Sequence, residues 1–233
     1  MQAVFMCGGR GTRLARSGGP KSLVQVGGMT LLEGLVSKIG PFHTSTSPPV
    51  VVVDRGDELT PRALTSLLPN ATIVRQPVPD GVASALLLAR PFIDDVAIVT
   101  LGDLFLDGRF GDIPQRPSLM FWRGASPDDV ARNFGVVVGP DGAAHAVVEK
   151  PADSDGLACG IGVYVLTPAT ISTFRAVRRD PVTGERGITD GIQAAIAAGI
   201  RFQLTPFVGF YTNINTRSDL AAAENHLAHP VSG

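Results

Sequence analysis

Gln2-Ala3-Val4-Phe5-Met6-Cys7-Gly8-Gly9-Arg10-Gly11-Thr12-Arg13-Leu14 opens the chain as an unbroken apolar run that gives way to glycines and arginines. A short run with β-branched and aromatic members and no polar interruption predicts a strand buried on both faces, hence a parallel sheet. The glycines that follow let the backbone come close to a ligand. Consecutive backbone N–H groups of Gly8, Gly9, Gly11 and Thr12 can cradle an anion. Arg13 and, after Pro20, Lys21 add fixed positive charge beside that cradle. The combination suits a triphosphate. A P-loop requires G-x-x-x-x-G-K-[ST], which this segment lacks. A dinucleotide fingerprint needs a small residue where Leu14 stands. The plain alternative is a glycine-rich turn between strand and helix.

The same alternation continues downstream. Residues 49–54, 71–75 and 96–101 read as further short strands, and 29–40, 57–68 and 82–90 as helices. Strands and helices alternating at this spacing predict an α/β fold, a Rossmann-like open, mostly parallel sheet flanked by helices. The second half changes character. Strands at 118–123, 134–139, 143–149, 160–166 and 201–208 are separated by turns such as Pro140-Asp141-Gly142, which predicts a small antiparallel extension. Helices follow at 187–199 and 217–228. The chain reads as a single domain over 1–233, with an NTP-binding half at 1–115 and an acceptor-binding half at 116–233.

The totals set limits. A chain of 233 residues with 44% hydrophobic and 18% charged residues has globular composition. The formal net charge of −1 offers no broad electrostatic case for nucleic acid or an anionic membrane surface. Any phosphate site must therefore be local. Met1–Met6 lacks the basic start of a signal peptide, and no apolar stretch reaches the ~20 residues that span a bilayer. A cytoplasmic protein is expected. Cys7 and Cys159 form neither a C-x-x-C pair nor a zinc spacing. The four histidines are expected at the surface. Apolar segments of the antiparallel half could support a homo-oligomer.

Gly8-Gly9-Arg10-Gly11-Thr12-Arg13-Leu14 with Pro20-Lys21 resembles the N-terminal signature of the sugar nucleotidyltransferases, G-G-x-G-T-R-L followed by P-K. The resemblance implies a GT-A-like nucleotidyltransferase fold, a loop wrapped around the triphosphate, and Arg13 and Lys21 as the catalytic cations. Gln76-Pro77-Val78-Pro79-Asp80-Gly81-Val82-Ala83 resembles the Q-x-x-P-D-G-L-A stretch of the glucose-1-phosphate thymidylyltransferases. By that resemblance Gln76 and Gly81 read the base, with a tilt towards a pyrimidine.

Leu101-Gly102-Asp103 ends the fourth strand with a carboxylate at the edge where ligands bind in open α/β sheets. The family carries L-G-D here, with the aspartate on Mg²⁺, so Asp103 is the first metal candidate. Asp107, four residues on, reads as a turn residue. In the second half, Gly135 within Asn133-Phe134-Gly135-Val136-Val137, Glu149-Lys150-Pro151, and Gly162 within Gly160-Ile161-Gly162-Val163-Tyr164 resemble the family's sugar-binding elements. The glutamate would accept from sugar hydroxyls and the lysine would meet the sugar phosphate. Gly187-Ile188-Thr189-Asp190 resembles an I-T-D element, with Thr189 read as a helix cap outside the core site. Near the end, many relatives carry W-x-D-T-G-T, and Asn215 of Asn213-Ile214-Asn215-Thr216-Arg217 takes the aspartate's place as second metal ligand. The N-acetylglucosamine-1-phosphate uridylyltransferases also use asparagine there.

The implied reaction joins an NTP, favoured as a pyrimidine NTP, to a sugar 1-phosphate, giving an NDP-sugar and pyrophosphate with Mg²⁺. The alternatives are a cytidylyl- or guanylyltransferase acting on another phosphate or phosphonate, and a silent nucleotide-binding protein.

Overall fold

The computed structural model describes residues 1–9 and 19–229. The apolar opening is strand β1 (Gln2–Met6), every residue of it buried. Two more strands pair with it in parallel, β4 (Val50–Asp54) on one side and β6 (Ala97–Leu101) on the other, and β5 (Thr72–Gln76) pairs in parallel with the far side of β4. Between β1 and β4 lies a small ribbon of β2 (Gln25–Val26) and β3 (Met29–Thr30).

Side chains alternate across a strand, so these runs feed two core layers. Val4, Met6, Val50, Val52 and Val99 face one layer, and Ala3, Phe5, Val51, Val53 and Ile98 the other. Helices α1 (Leu31–Ile39) and α2 (Leu59–Leu67) cover the second layer with Leu32, Leu35, Ile39 and Leu64. Helix α3 (Val82–Ala89) covers the first with Ala83, Leu86 and Ala89. Burying one such leucine fully contributes about 1.5–3 kcal/mol.

The second half extends the same sheet. Strands β7 (Leu104–Phe110), β8 (Ser118–Trp122), β9 (Phe134–Val138), β10 (Ala144–Glu149), β11 (Ala158–Leu166) and β12 (Gln203–Asn213) follow in the chain. The sheet runs β5-β4-β1-β6-β11-β8-β12-β7, with the β9–β10 hairpin attached to β11. β11 is antiparallel to β6, β8 and β9, while β8 and β12 are parallel. Helices α4 (Pro127–Arg132), α5 (Pro168–Thr173), α6 (Ile188–Ala197) and α7 (Arg217–Ala228) complete the chain. Ile188, Ile192 and Ala195 of α6 join the layer under α3. Among the described residues no helix is long and apolar enough to cross a membrane.

Several elements differ from the sequence reading. The first helix starts at Leu31, because Thr30 is its N-cap in a capping box with Glu33, and Met29 is spent on the ribbon. Asp107 is a strand residue in β7, paired with Phe210, and not part of a turn. The Asp107-Gly108 pair looks like a turn in sequence. In the structure Gly108 lies against Gly209, where a Cβ would come within 2.9 Å of the Gly209 Cα. His226 is not a plain surface residue. It stacks on Phe210 with ring centroids 4.2 Å apart, and its Nε2 lies 2.8 Å from Asp107 Oδ2.

Candidate active site

The carboxyl ends of β5, β4, β1 and β6 lie side by side and place Gln76, Asp54, Gly8 and Asp103 in a row. The sheet edge therefore presents four strand ends at roughly 4.8 Å spacing. A cavity of about 320 Å³ opens there, lined among others by Gly8, Gly9, Lys21, Gln76, Gly81 and Asp103.

At one end of this row Lys21 is the central charge. Its Nζ donates to Asp103 Oδ2 at 3.3 Å and to Asn215 Oδ1 at 2.5 Å. Residues separated by more than 80 positions thus meet at one ammonium. Pro20 fixes the chain entering the short 3-10 turn Lys21–Leu23, and the Lys21 N–H reaches Gly9 O at 3.5 Å. Asp103 directly follows β6 and Gly102. The missing side chain of Gly102 is a close-approach requirement, since a Cβ would sit 2.7 Å from Met6 O. Asn215 is placed by the turn into α7. Its N–H donates to Asp219 Oδ2 at 3.0 Å, and the Ile214 N–H donates to Asp103 O at 2.8 Å.

At the other end, the Gln76 amide nitrogen is committed. It donates to Asp80 Oδ1 at 3.0 Å and to Gly81 O at 3.2 Å, which leaves Oε1 as its acceptor. The glycine at 81 has a different reason from the one its sequence context suggests. Its φ is +101°, and a Cβ would lie 2.6 Å from the Arg186 nitrogen and 2.8 Å from the Arg186 carbonyl carbon. Gly81 lines the cavity, but its bare side makes room for backbone rather than for a base. Gly81→Ala is therefore expected to destabilise the fold by about 2–4 kcal/mol, from a glycine-only conformation plus a backbone clash. A urea unfolding series checks this, and an unchanged midpoint contradicts the packing described.

Asp54 was missed in the sequence although it carries the same signature as Asp103, an acid at the carboxyl end of a buried strand. Its Oδ2 accepts the Gly9 N–H at 3.1 Å. That amide is therefore engaged with a carboxylate and is not a free member of an anion cradle. Asp54 Oδ1 is buried and has no hydrogen-bond partner among the described residues. Also missed was the segment that ties down the Gln76–Gly81 turn: Arg179 pairs with Asp80 at 2.7 Å and the Arg186 N–H donates to Asp80 O at 2.8 Å. Gly11, Thr12 and Arg13 lie outside the described residues.

The residues expected on the acceptor side fall on the β9–β10 hairpin and its neighbours. Glu149 ends β10, and its Oε2 accepts the Thr189 hydroxyl at 2.6 Å. Thr189, set aside in the sequence as a cap, thus belongs with Glu149. Lys150 holds a φ of +43°, and its N–H donates to Asn133 O at 2.8 Å. Gly135 and Gly162 have packing reasons to lack side chains. A Cβ on Gly135 would meet Leu157 Cδ1 at 2.5 Å, and one on Gly162 would meet Leu101 Cδ1 at 2.8 Å. Tyr164 of β11 is buried and stacks on Phe134. Burial first, then the Glu149 and Asp103 carboxylates, hold its phenol in the protonated form.

Nothing here is arranged for covalent catalysis through sulfur. Burial pushes the Cys7 thiol up to about 12, and Cys159 likewise. Among the described residues no three His, Cys, Asp or Glu side chains cluster as a metal cage.

Comparison with known proteins gives the class to which this sheet and chain belong. The family model for nucleotidyl transferases matches residues 2–229, so the chain belongs to the nucleotidyl transferase family and is an enzyme of that class. It is 27% identical to the UTP–glucose-1-phosphate uridylyltransferase AglF of Haloferax volcanii, over 97% of this chain and 96% of that protein. It is 29% identical to the bifunctional protein GlmU of Paracoccus denitrificans and 29% identical to a glucose-1-phosphate thymidylyltransferase of Streptomyces griseus. Those two matches take in 95% and 94% of this chain but only 51% and 64% of the relatives' length. Among solved structures, a UDP-glucose pyrophosphorylase complexed with UDP-glucose superposes with a TM-score of 0.78 at 19% identity, covering 97% of this chain and 98% of that one. The inositol-1-phosphate CTP transferase from T. maritima gives a TM-score of 0.74 at 18% identity, covering 100% and 98%. At such identities the structures speak for the fold alone.

Proposed function

We propose that the protein transfers a nucleoside monophosphate from an NTP to a sugar 1-phosphate, releasing pyrophosphate. The observation that carries this reading is the contact of Lys21 with both Asp103 and Asn215, where Lys21 and Asp103 line the cavity at the strand ends. An oxygen of the acceptor phosphate attacks the α-phosphorus, and the bond from that phosphorus to the pyrophosphate oxygen breaks. The nucleophile is already an anion, so no proton needs to move. What the chain supplies is alignment and charge neutralisation. Lys21, and Arg13 by family resemblance, stabilise the phosphate charge. The first half, 1–115, holds the NTP, and 116–233 holds the acceptor through Glu149 and Lys150.

The donor set suits Mg²⁺. Two oxygens, Asp103 Oδ2 and Asn215 Oδ1, converge on one cation, here the Lys21 ammonium. Mg²⁺ takes one or two protein oxygens and completes its shell with phosphates and waters. When bound, it would supply Lewis-acid neutralisation of phosphate charge.

Gln76 offers an acceptor to the base, which a ring N–H or an amino group can meet. A pyrimidine NTP satisfies this, as the relatives that use UTP or form thymidylyl products suggest. The test is pyrophosphate release with Mg²⁺, crossing dTTP, UTP, CTP, GTP and ATP against sugar 1-phosphates, phosphocholine and phosphonates. Release that needs a pyrimidine NTP and a sugar 1-phosphate is expected. Release only with a non-sugar acceptor would move the assignment to another member of the class.

Thr189→Val keeps the shape of residue 189 and removes the hydroxyl that orients Glu149. Its expected effect is a rise in acceptor KM of about tenfold, the cost of roughly one hydrogen bond to a charged group, with NTP KM unchanged. Equal rises in both would detach Glu149 from the acceptor.

A further inference from the structure

Three polar side chains without a role so far, two of them at the starts of the segments 133–137 and 213–217, meet in one cluster. Asn213 Nδ2 donates to Asn133 Oδ1 at 3.1 Å. The Tyr211 hydroxyl lies 2.7 Å from Asn213 Oδ1 and 3.1 Å from Asn133 Oδ1. A phenol has one proton, so the shorter contact takes it and the Asn133 oxygen is served by the Asn213 amide. Asn133 Nδ2 donates to Asp129 O at 2.8 Å, which fixes the orientation of its amide. Tyr211 is 3% exposed, so its hydroxyl must be hydrogen-bonded within the protein rather than to solvent.

The cluster joins two pieces of backbone that carry site residues. On one side, Asn133 O accepts the Lys150 N–H at 2.8 Å. Lys150 is the one non-glycine residue with positive φ among the described residues, a conformation that costs roughly 1–2 kcal/mol and persists only when its surroundings impose it. On the other side, Asn213 stands two residues before Asn215. Between them the Ile214 N–H binds Asp103 O at 2.8 Å. The short connection Asn213-Ile214-Asn215 is therefore tied to Asp103 and Lys21 at one end and to Asn133 at the other.

We infer that Asn133 is a positioning residue, which holds the Lys150 backbone in register with the Asn215–Lys21–Asp103 corner through its side-chain bond to Asn213. The inference rests on the proposed function, because Lys150 and Lys21 must face one reacting phosphate pair for their register to matter. A shift of about 1 Å between two substrate sites can cost up to about a hundredfold in rate. A bond across the gap between them is where such a shift is prevented.

Asn133→Ala, Asn133→Asp and Tyr211→Phe test it, alongside the wild-type protein with its best NTP and acceptor. Each is followed by steady-state kinetics, a thermal melt and NTP binding by calorimetry without acceptor. Asn133→Ala is expected to lower kcat/KM for the acceptor by at least about tenfold, with the NTP Kd within about twofold of wild type. Asn133→Asp retains the oxygen that receives the Asn213 amide but sets its second oxygen against Asp129 O, so it is expected to recover only part of that loss. Tyr211→Phe leaves the Asn213–Asn133 bond in place, so its loss is smaller than that of Asn133→Ala. If Asn133→Ala does not fold, Asn213→Ala removes the same bond from the other strand and carries the same expectation. Unchanged kinetics with a lowered melting temperature would overturn the proposal and leave a merely structural cluster. A parallel loss of NTP binding would overturn it too. Absence of wild-type turnover with every acceptor would instead bring down the functional reading beneath it.

Discussion

Lys21→Ala is expected to lower kcat by about 10²–10³-fold while the protein stays folded. The magnitude follows from removing one preorganised charge that neutralises a developing anion. Lys21 is the shared partner of Asp103 and Asn215, at 3.3 Å and 2.5 Å, so its loss also leaves those two oxygens to face one another without a cation. Stability is affected far less. The Lys21 and Asp103 side chains are 25% and 23% exposed, and solvent screening limits such a pair to about 1 kcal/mol. Rate measurements at saturating NTP and acceptor, beside a thermal melt, check both parts. A variant that turns over normally would remove Lys21 from the chemistry. One that fails to melt cooperatively would give the lysine a structural role.

Asp103→Asn is expected to have an effect of similar size by another route. The substitution keeps the shape and leaves an oxygen where Oδ2 stands, but removes the only carboxylate in direct contact with Lys21 among the described residues. With Asn215 as the other oxygen donor, the corner would then hold two neutral amides, a poor set for a hard divalent cation. The expected result is a fall in kcat of about 10²–10³-fold at ordinary Mg²⁺ concentration, partly recovered as Mg²⁺ is raised. The converse change, Asn215→Asp, adds a carboxylate and is expected to lower the Mg²⁺ concentration needed for half-maximal rate. Activity of Asp103→Asn that equals wild type at every Mg²⁺ concentration would exclude Asp103 as a ligand.

Much of the fold could be read from residues 2–9 and the runs that resemble them. A strand buried on both faces has no polar interruption, and Val50–Val53 and Ala97–Leu101 repeat that pattern beside β1. The placement of Asp103 just after β6 was legible because an apolar run ends there in a Gly-Asp pair. Asp54 had the same placement, yet no motif drew attention to it. Its contact with the Gly9 N–H depends on how β1 and β4 lie together, which only the sheet register reveals. β7 was hidden by Asp107, which reads as a turn residue, whereas Gly108 faces Gly209 in a close antiparallel pairing with β12.

Glycines were found more easily than their reasons. Gly81 stood out by its place after Pro79-Asp80, but its bare side is filled by the Arg186 backbone, more than a hundred residues away in sequence. The same holds for Thr189, whose partner Glu149 lies forty positions earlier. Local pattern locates such residues, whereas their contacts are set by long-range packing. Arg13, the second expected cation, lies in the segment outside the described residues, so its role rests on the motif.

The most direct test of the transfer reaction follows the phosphorus atoms. NTP labelled at the α-phosphate is incubated with sugar 1-phosphate, Mg²⁺ and the protein, and a parallel sample carries the label at the γ-phosphate. The expected result is α-label in a phosphatase-resistant sugar nucleotide and γ-label in pyrophosphate, both abolished by Lys21→Ala. Gamma-label in the acceptor would reveal phosphoryl transfer and contradict the assignment, as would folded, NTP-binding protein that moves neither label to any acceptor.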